Sequence, residues 1–179
     1  MVNLDTVNSR YFLPNPQNEG ESYKLFQFGS GENHLQVLTS SRNQVEIMFR
    51  YSGDQSMMQL LLMTDALRRQ GANEIDLFIP YFPGARQDRV CNLGEPLSVK
   101  VYADLINQQQ YRQVTVFDPH SEVVVALLNR VRVIKNHQFI KDVVAEIGTD
   151  LILVSPDAGS NKKIFELSSQ LGGLEVVRA

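Results

Sequence analysis

The sequence predicts an α/β fold built on a parallel sheet, and three observations carry that expectation. From Glu74 onward, short apolar runs alternate with amphipathic stretches of helical period. Several of those runs, Ile75-Asp76-Leu77-Phe78-Ile79 and Leu151-Ile152-Leu153-Val154 among them, are nearly continuous in apolar residues, as strands of a sheet covered on both faces are. Glycines fall where helices should stop, at Gly71 and Gly172-Gly173. A chain of 179 residues and 20.3 kDa suits one domain and needs no metal or disulfide staple for its core.

Taken in order, Met1 to Ser22 is polar, holds Pro14 and Pro16 and shows no sustained period, so residues 1–22 read as an arm ahead of one domain over 23–179. Lys24–Phe28 and His34–Thr39 are β-prone runs on either side of Gly29-Ser30-Gly31-Glu32-Asn33, which predicts an N-terminal β-hairpin. In Gln44–Arg50, Val45, Ile47 and Phe49 alternate with polar neighbours, a strand. Asp54 stands where an N-cap belongs, before a helix over Gln55–Gln70 whose apolar residues include Met58, Leu61, Leu62 and Leu67. Met57, Met58 and Met63 read as core residues of that helix. Strands follow at Glu74–Pro80, Gln113–Phe117, Val131–Ile134, Asp150–Val154 and Leu174–Val177. Helices fall between them at Leu97–Gln109, Ser121–Asn129 with Ser121 as cap, Phe139–Ile147 and Ser160–Leu171.

Composition excludes several classes of function. With 17 basic and 20 acidic residues the formal charge is -3, so no global field exists to hold nucleic acid, and any site for a polyanion must be local. No apolar stretch approaches the roughly 18 residues of a membrane-spanning helix. The single cysteine, Cys91, rules out an intramolecular disulfide and reads as a free structural thiol. With no basic-then-apolar leader, a cytoplasmic location is the expectation.

In open α/β sheets ligands bind beyond the carboxyl ends of the strands. Three polar clusters follow such ends: Tyr81-Phe82-Pro83-Gly84-Ala85-Arg86-Gln87-Asp88-Arg89, Asp118-Pro119-His120-Ser121 and Ser155-Pro156-Asp157-Ala158-Gly159-Ser160. Arg86 and Arg89 suit a triphosphate, because each guanidinium engages two oxygens at once; a loop ion pair with Asp88 is the alternative. Asp118, His120 and Asp157 offer hard oxygen and imidazole ligands that adjacent parallel strands could bring together, a sparse set suited to magnesium completed by water and phosphate. The other reading makes Asp118 and Asp157 helix caps and His120 a surface residue. Lys162 and Lys163, in the first turn of a helix, either add charge near an anion or form a solvated face. Gly29-Ser30-Gly31-Glu32 precedes a hairpin strand, the wrong context for a glycine loop that cradles phosphates.

The segments Phe82-Pro83-Gly84-Ala85-Arg86-Gln87-Asp88, Asp118-Pro119-His120-Ser121 and Ser155-Pro156-Asp157-Ala158-Gly159 together resemble, in order and spacing, the motifs of the phosphoribosyl pyrophosphate synthetases, also called ribose-phosphate pyrophosphokinases. The resemblance runs from about Lys24 to the end of the chain and concerns the N-terminal half of that family. The Leu/Met-rich helix Ser56-Met57-Met58-Gln59-Leu60-Leu61-Leu62-Met63 is also similar. The resemblance implies a three-layer, parallel-sheet lobe of the phosphoribosyltransferase-like type with an N-terminal β-hairpin. It implies transfer of the β,γ-diphosphoryl group of ATP to the anomeric hydroxyl of ribose 5-phosphate, giving phosphoribosyl pyrophosphate and AMP.

Residue by residue, the resemblance makes Arg86 and Gln87 ATP contacts, Asp88 their acidic companion, and His120 and Asp157 the pair associated with Mg2+. Asp118, Ser30 and Lys162 would be accessory. The segment Phe28-Gly29-Ser30-Gly31-Glu32 resembles the hairpin that reaches the adenine of a neighbouring subunit, where Phe28 stacks and Glu32 accepts from the base or its support. A homo-oligomer with sites shared between subunits follows, with nucleotide and sugar phosphate as partners and neither nucleic acid nor membrane. Diphosphoryl transfer asks for positioning and charge neutralisation rather than a side-chain nucleophile, and none stands out here.

Departures from the family pattern are Ser30 where Asn or Asp is usual, Ser160 where a second glycine is usual, and Pro119 before the histidine. The family's glycine-rich N-terminal strand is poorly matched by Met1 to Ser22. Its catalytic Lys/Arg loop would begin just past Ala179, and its ribose-phosphate loop later still, so no catalytic residue is expected within the chain, which reads as a fragment inactive alone. Two alternatives accompany this reading: the same transfer to a larger acceptor such as ADP-ribose, and a non-catalytic regulatory or associated homologue.

Overall fold

A computed structural model describes residues 10–13, 22–40, 43–148 and 151–179 of the chain. They group into two compact units, Met1–Ile134 and Lys135–Ala179, a division that falls inside the single domain drawn over 23–179.

The first unit is organised by a five-stranded, all-parallel sheet. Its strands are β1 (Arg10–Leu13), β4 (Gln44–Phe49), β5 (Glu74–Ile79), β6 (Gln113–Phe117) and β7 (Val131–Ile134), side by side in that order. Between β1 and β4 the chain forms the expected antiparallel hairpin, β2 (Tyr23–Gln27) with β3 (Asn33–Val37), in which Phe26 lies opposite His34. Helices α1 (Asp54–Arg69), α2 (Ser98–Gln108) and α3 (Glu122–Leu127) connect β4 to β5, β5 to β6 and β6 to β7. The α/β class and the parallel sheet are those the sequence predicts.

Alternation within the strands selects the core. Val45 and Ile47 of β4 pair in register with Ile75 and Leu77 of β5, and Leu77 and Ile79 pair with Val114 and Val116 of β6. This row is at most 2% exposed and joins Leu60, Met63, Leu67, Val99, Ala103, Ile106 and Val124 of the helices in one hydrophobic cluster. Residues of the alternate row, Glu46, Met48, Asp76, Phe78 and Thr115, are half-buried. That row holds cross-strand ion pairs, Arg10 with Glu46 at 2.5 Å and Arg112 bidentate to Asp76.

Several local expectations are corrected. The arm over 1–22 supplies β1, whose Tyr11 and Leu13 are buried at 3% and 0%; its Pro14 and Pro16 lie outside the described residues. Four residues are too few for alternation to rise above the polar surroundings, and parallel pairing with β4 makes the strand. On α1 the buried stripe is Met57, Leu60, Met63, Thr64 and Leu67, while Met58 is 48% exposed and Leu61 and Leu62 are half-buried. With Leu60, Leu61 and Leu62 all apolar, local periodicity cannot choose the phase, and packing on the sheet does. Asp54 is not the N-cap: Gly53 occupies that position, and Asp54 begins the helix with its carboxylate turned to two tyrosines. Ser121 holds the cap position of α3 with an extended backbone, but its hydroxyl makes no capping bond, and its Oγ is buried without a partner.

The second unit consists of α4 (His137–Ile147), β8 (Leu153–Ser155), α5 (Asn161–Gln170) and β9 (Val176–Arg178). Strands β8 and β9 pair in parallel, Leu153 opposite Val176, with α5 as their crossover. Ser168 on α5 donates to the Leu174 carbonyl at 2.5 Å, and Lys135 pairs with Glu166. Asp150, where the strand was expected to start, is outside the described residues.

Candidate functional site

Because β4, β5 and β6 are parallel neighbours, the segments that leave their carboxyl ends share one edge of the sheet. They are Tyr51–Asp54, Pro80–Leu97 and Asp118–Ser121, and among the residues singled out from the sequence they carry Arg86, Gln87, Asp88, Arg89, Asp118 and His120.

The long β5–α2 segment begins with an anchor. Phe82 and Ala85 are 3% and 2% exposed and Pro83 is buried, so the backbone is fixed just before Arg86. Gly84 adopts φ 68, and a Cβ at this position would lie 2.8 Å from Tyr102 Cδ2 and 3.2 Å from the Ser98 carbonyl carbon. Glycine is thus required twice, for a left-handed backbone and for close approach to α2. Gln87 closes the turn, donating its N–H to the Gly84 carbonyl at 2.9 Å, and its own carbonyl accepts from Val99 N–H at 3.4 Å.

Beyond that anchor, Arg86, Gln87 and Arg89 are exposed and Asp88 is half-buried. Among the described residues no ion pair joins Arg86 or Arg89 to Asp88 or to any other acid. The loop-salt-bridge alternative is therefore not realised. Glu95, further along the segment, is committed elsewhere: it accepts Asn92 Nδ2–H at 2.6 Å and the Asn92 and Cys91 backbone N–H groups at 3.0 and 3.1 Å. Those bonds, the Asn92 side chain first, hold its carboxyl below the usual range. Two guanidinium groups thus stand on a buried base without an anion among the described residues to neutralise them. Cys91 is a free, exposed thiol.

Asp118 ends β6 with φ 37, a left-handed backbone that costs a non-glycine residue on the order of 1–2 kcal/mol. Its N–H donates to the Ile134 carbonyl at 2.8 Å, which fixes the strand end beside β7. Strain of this kind gathers at functional positions. His120, two residues on, is exposed.

Asp157 follows a strand of the second unit. Its strand, β8, pairs with β9 in a separate sheet and is no neighbour of β6. Asp157 Oδ1 accepts Ser160 N–H at 2.8 Å and Ser160 Oγ–H at 3.0 Å, closing a turn ahead of α5, whose N-cap position Ser160 holds. Its main chain is held by the buried Ser155, whose hydroxyl donates to the Asp157 carbonyl at 3.0 Å. Lys162 is exposed in the first turn of α5. Among the described residues, no group of three or more His, Cys, Asp or Glu side chains is arranged to hold a metal ion.

At the hairpin tip Phe28 is 52% exposed, its N–H on the Glu32 carbonyl and its carbonyl receiving Gly31 N–H, each at 2.9 Å. Its ring joins Phe26 and His34 in an exposed aromatic cluster with centroids 5.0 to 5.6 Å apart. Ser30 donates its hydroxyl to Glu32, and this bond is the first cause holding the Glu32 carboxyl below its usual range. A cleft of about 180 Å³ lies behind the tip, lined by Phe26, Gln27, Asn33, His34, Gln55 and Gln59.

Sequence reasoning missed Tyr51 and Tyr102. Their hydroxyls, on β4–α1 and α2, meet on Asp54 at 2.8 and 2.6 Å. No local pattern marks them, since the three residues are brought together only by the pairing of β4 with β5.

The N-terminal domain of ribose phosphate pyrophosphokinase is the family that matches, over residues 17–109, a span that takes in the hairpin, α1, the Arg86 loop and α2. The chain is 35% identical to the ribose-phosphate pyrophosphokinase of Aquifex aeolicus over 152 residues, covering 80% of this chain and 45% of that protein. It is 31% identical to the enzyme of the same name from Listeria ivanovii over 145 residues, covering 77% and 42%. Against the crystal structure of phosphoribosylpyrophosphate synthetase from Mycobacterium smegmatis the TM-score is 0.78 at 25% identity, with 87% of this chain and 54% of that one covered. The chain spans less than half the length of these curated relatives. A shared N-terminal domain, fold and sequence place the chain in the ribose phosphate pyrophosphokinase family.

Proposed function

We propose that the chain forms the nucleotide-binding part of a ribose-phosphate diphosphokinase, which moves the β,γ-diphosphoryl group of ATP to the anomeric hydroxyl of ribose 5-phosphate and releases AMP. The observation that carries this reading is the pair of exposed guanidinium groups, Arg86 and Arg89, which no acid among the described residues neutralises and which are mounted on the buried Phe82-Pro83 and Ala85 anchor. Arg86 engages the phosphates, Gln87 adds an amide contact, and Asp88 orients the loop. Transfer proceeds mainly through positioning and charge neutralisation, which such a loop supplies. Phe28 stacks on the adenine held by a neighbouring copy, and Glu32, kept ionised by Ser30, accepts from the base or its support. This assigns a homo-oligomer with shared sites.

Magnesium fits the chemistry of the donor set in one respect: Mg2+ takes one or two side chains and fills its shell with water and phosphate oxygens, so a closed cage is not required. His120 and Asp157 are the residues the family pattern assigns to it, with Asp118 accessory, whereas Lys162, itself a cation, belongs with a phosphate and not with the ion. When bound, the ion neutralises charge on the transferring phosphates.

The test is calorimetric titration of the chain with Mg-ATP. Binding that weakens about tenfold or more in Arg86→Ala, as loss of a charge-assisted contact predicts, supports the assignment. Equal affinity in the variant, or no binding by the parent chain, overturns it. Parallel assays of AMP release with ribose 5-phosphate and with ADP-ribose, run on a form that includes the family's catalytic loop, identify the acceptor.

A further inference from the structure

Tyr51 and Tyr102 both donate to one atom, Asp54 Oδ1, and their oxygens lie 3.1 Å apart. Their rings meet edge to face with centroids 5.7 Å apart. Three segments are joined by this cluster: the residues leaving β4, the first turn of α1, and the N-terminal half of α2. The Tyr102 ring also lies directly under Gly84, where a Cβ would come within 2.8 Å of Cδ2. Gly84 is two residues before Arg86.

We propose that Asp54, Tyr51 and Tyr102 position the Arg86 loop, with the Tyr102 ring as the floor on which Gly84 rests and the Asp54 carboxylate holding that ring in place. The anchor Phe82-Pro83 fixes where the loop starts, but it leaves the direction of the chain at Gly84 to whatever supports it from α2. A tyrosine ring tethered only by its Cβ moves among rotamers; one tethered at the hydroxyl by a charge-assisted bond of 2.6 Å does not. Asp54 and both hydroxyls therefore act through Gly84 on Arg86 and touch no ligand themselves. What Arg86 meets rests on the nucleotide reading above, whereas the ordering of the loop does not.

The two claims separate experimentally. Trypsin cleaves after Arg86 and Arg89, both exposed, and after Arg130, an exposed residue between α3 and β7 that serves as an internal standard. In the full chain, Tyr102→Phe keeps the ring and removes the tether. It should raise cleavage after Arg86 and Arg89 about fivefold relative to Arg130, the scale of one lost hydrogen bond. It should also weaken Mg-ATP binding several-fold, and this loss should vanish in the Arg86→Ala background. Asp54→Ala, which removes the acceptor of the Tyr102 hydroxyl, provides the same comparison if Tyr102→Phe fails to fold. A cleavage ratio equal to that of the parent chain overturns the positioning role, as does a uniform rise at all three arginines, which marks general destabilisation. Absence of Mg-ATP binding by the parent chain overturns the nucleotide reading alone, and the cleavage ratio still decides the positioning role.

Discussion

Replacing Gly84 by alanine tests the loop geometry with a magnitude set by two separable costs. The residue has φ 68, where a Cβ meets the neighbouring carbonyl at about 1–2 kcal/mol. The new methyl also comes within 2.8 Å of the Tyr102 ring and 3.2 Å of the Ser98 carbonyl carbon. Overpacking of this kind costs about 1–3 kcal/mol, because the ring is held at its hydroxyl and the helix backbone does not yield. Gly84→Ala should therefore lose about 2–5 kcal/mol in all. The assay is urea unfolding followed by tyrosine fluorescence. The chain has no tryptophan, and its 6 tyrosines, at positions 11, 23, 51, 81, 102 and 111, all belong to the first unit, so the signal reports on that unit alone. Repeating the substitution in a Tyr102→Leu background should remove the ring's share and leave about 1–2 kcal/mol for the backbone. A loss within about 0.5 kcal/mol, the range of an ordinary surface change, would refute the argument.

Thr64→Val should cost about 1–3 kcal/mol in the same assay. Thr64 donates its single proton to the Leu60 carbonyl at 2.8 Å, so Tyr111 donates to Thr64 Oγ1 at 2.6 Å in a fully buried pair, and valine strands the Tyr111 hydroxyl. Adding Tyr111→Phe should recover most of the loss; a double variant as unstable as the single one would show that the hydroxyl pair is not the cause. The hydrogen bond from Tyr102, and then that from Tyr51, hold the Asp54 carboxyl below its ordinary value of 3.8. Its contribution is then complete above pH 3.8 and fades as pH falls through the lower folded value. On the alkaline side, the bond to Asp54 raises the Tyr102 hydroxyl above its ordinary 10.0, so that contribution is present below pH 10.0 and fades as pH rises through the higher value. Carbon-detected NMR titration of Asp54 checks the acidic limb, and a midpoint at or above 3.8 contradicts it. Asp157→Ala removes both bonds to Ser160 and should destabilise the turn ahead of α5 by about 1 kcal/mol, seen as faster amide exchange at Ser160, while Asp157→Asn, which keeps an accepting oxygen, should not. Equal exchange in both variants would show that these bonds do not hold the turn.

β4 is legible in the sequence because it carries its own alternation, Val45, Ile47 and Phe49 announcing both the strand and the face it buries, and β5 because its apolar run is nearly continuous. The hairpin is legible from its glycines and flanking β-prone runs, and the Arg86 loop from its motif. What escapes is whatever depends on partners distant in the chain. β1 is a strand only because β4 offers an edge. The phase of α1 is chosen by the sheet, which turns Met58 out and Met57 in. Asp54 has the composition of a cap, yet its carboxylate answers to Tyr102, 48 residues away. Asp157 follows a strand end as predicted, but strand pairing sets β8 beside β9 rather than β6, an assignment no local pattern encodes.

The order of strands in the five-stranded sheet has a consequence for how the chain is assembled during synthesis. Apart from the hairpin inserted after β1, each strand is laid beside the one most recently made, from β4 through β5 and β6 to β7. The sheet has no strand that must wait for a later segment to be slotted between two earlier ones. Each helix and strand leaving the ribosome finds a finished edge to dock on, so non-local closure is replaced by successive short loop closures. Growth of this kind carries one edge of the sheet along from β4 to β7, while β1 stays at the other.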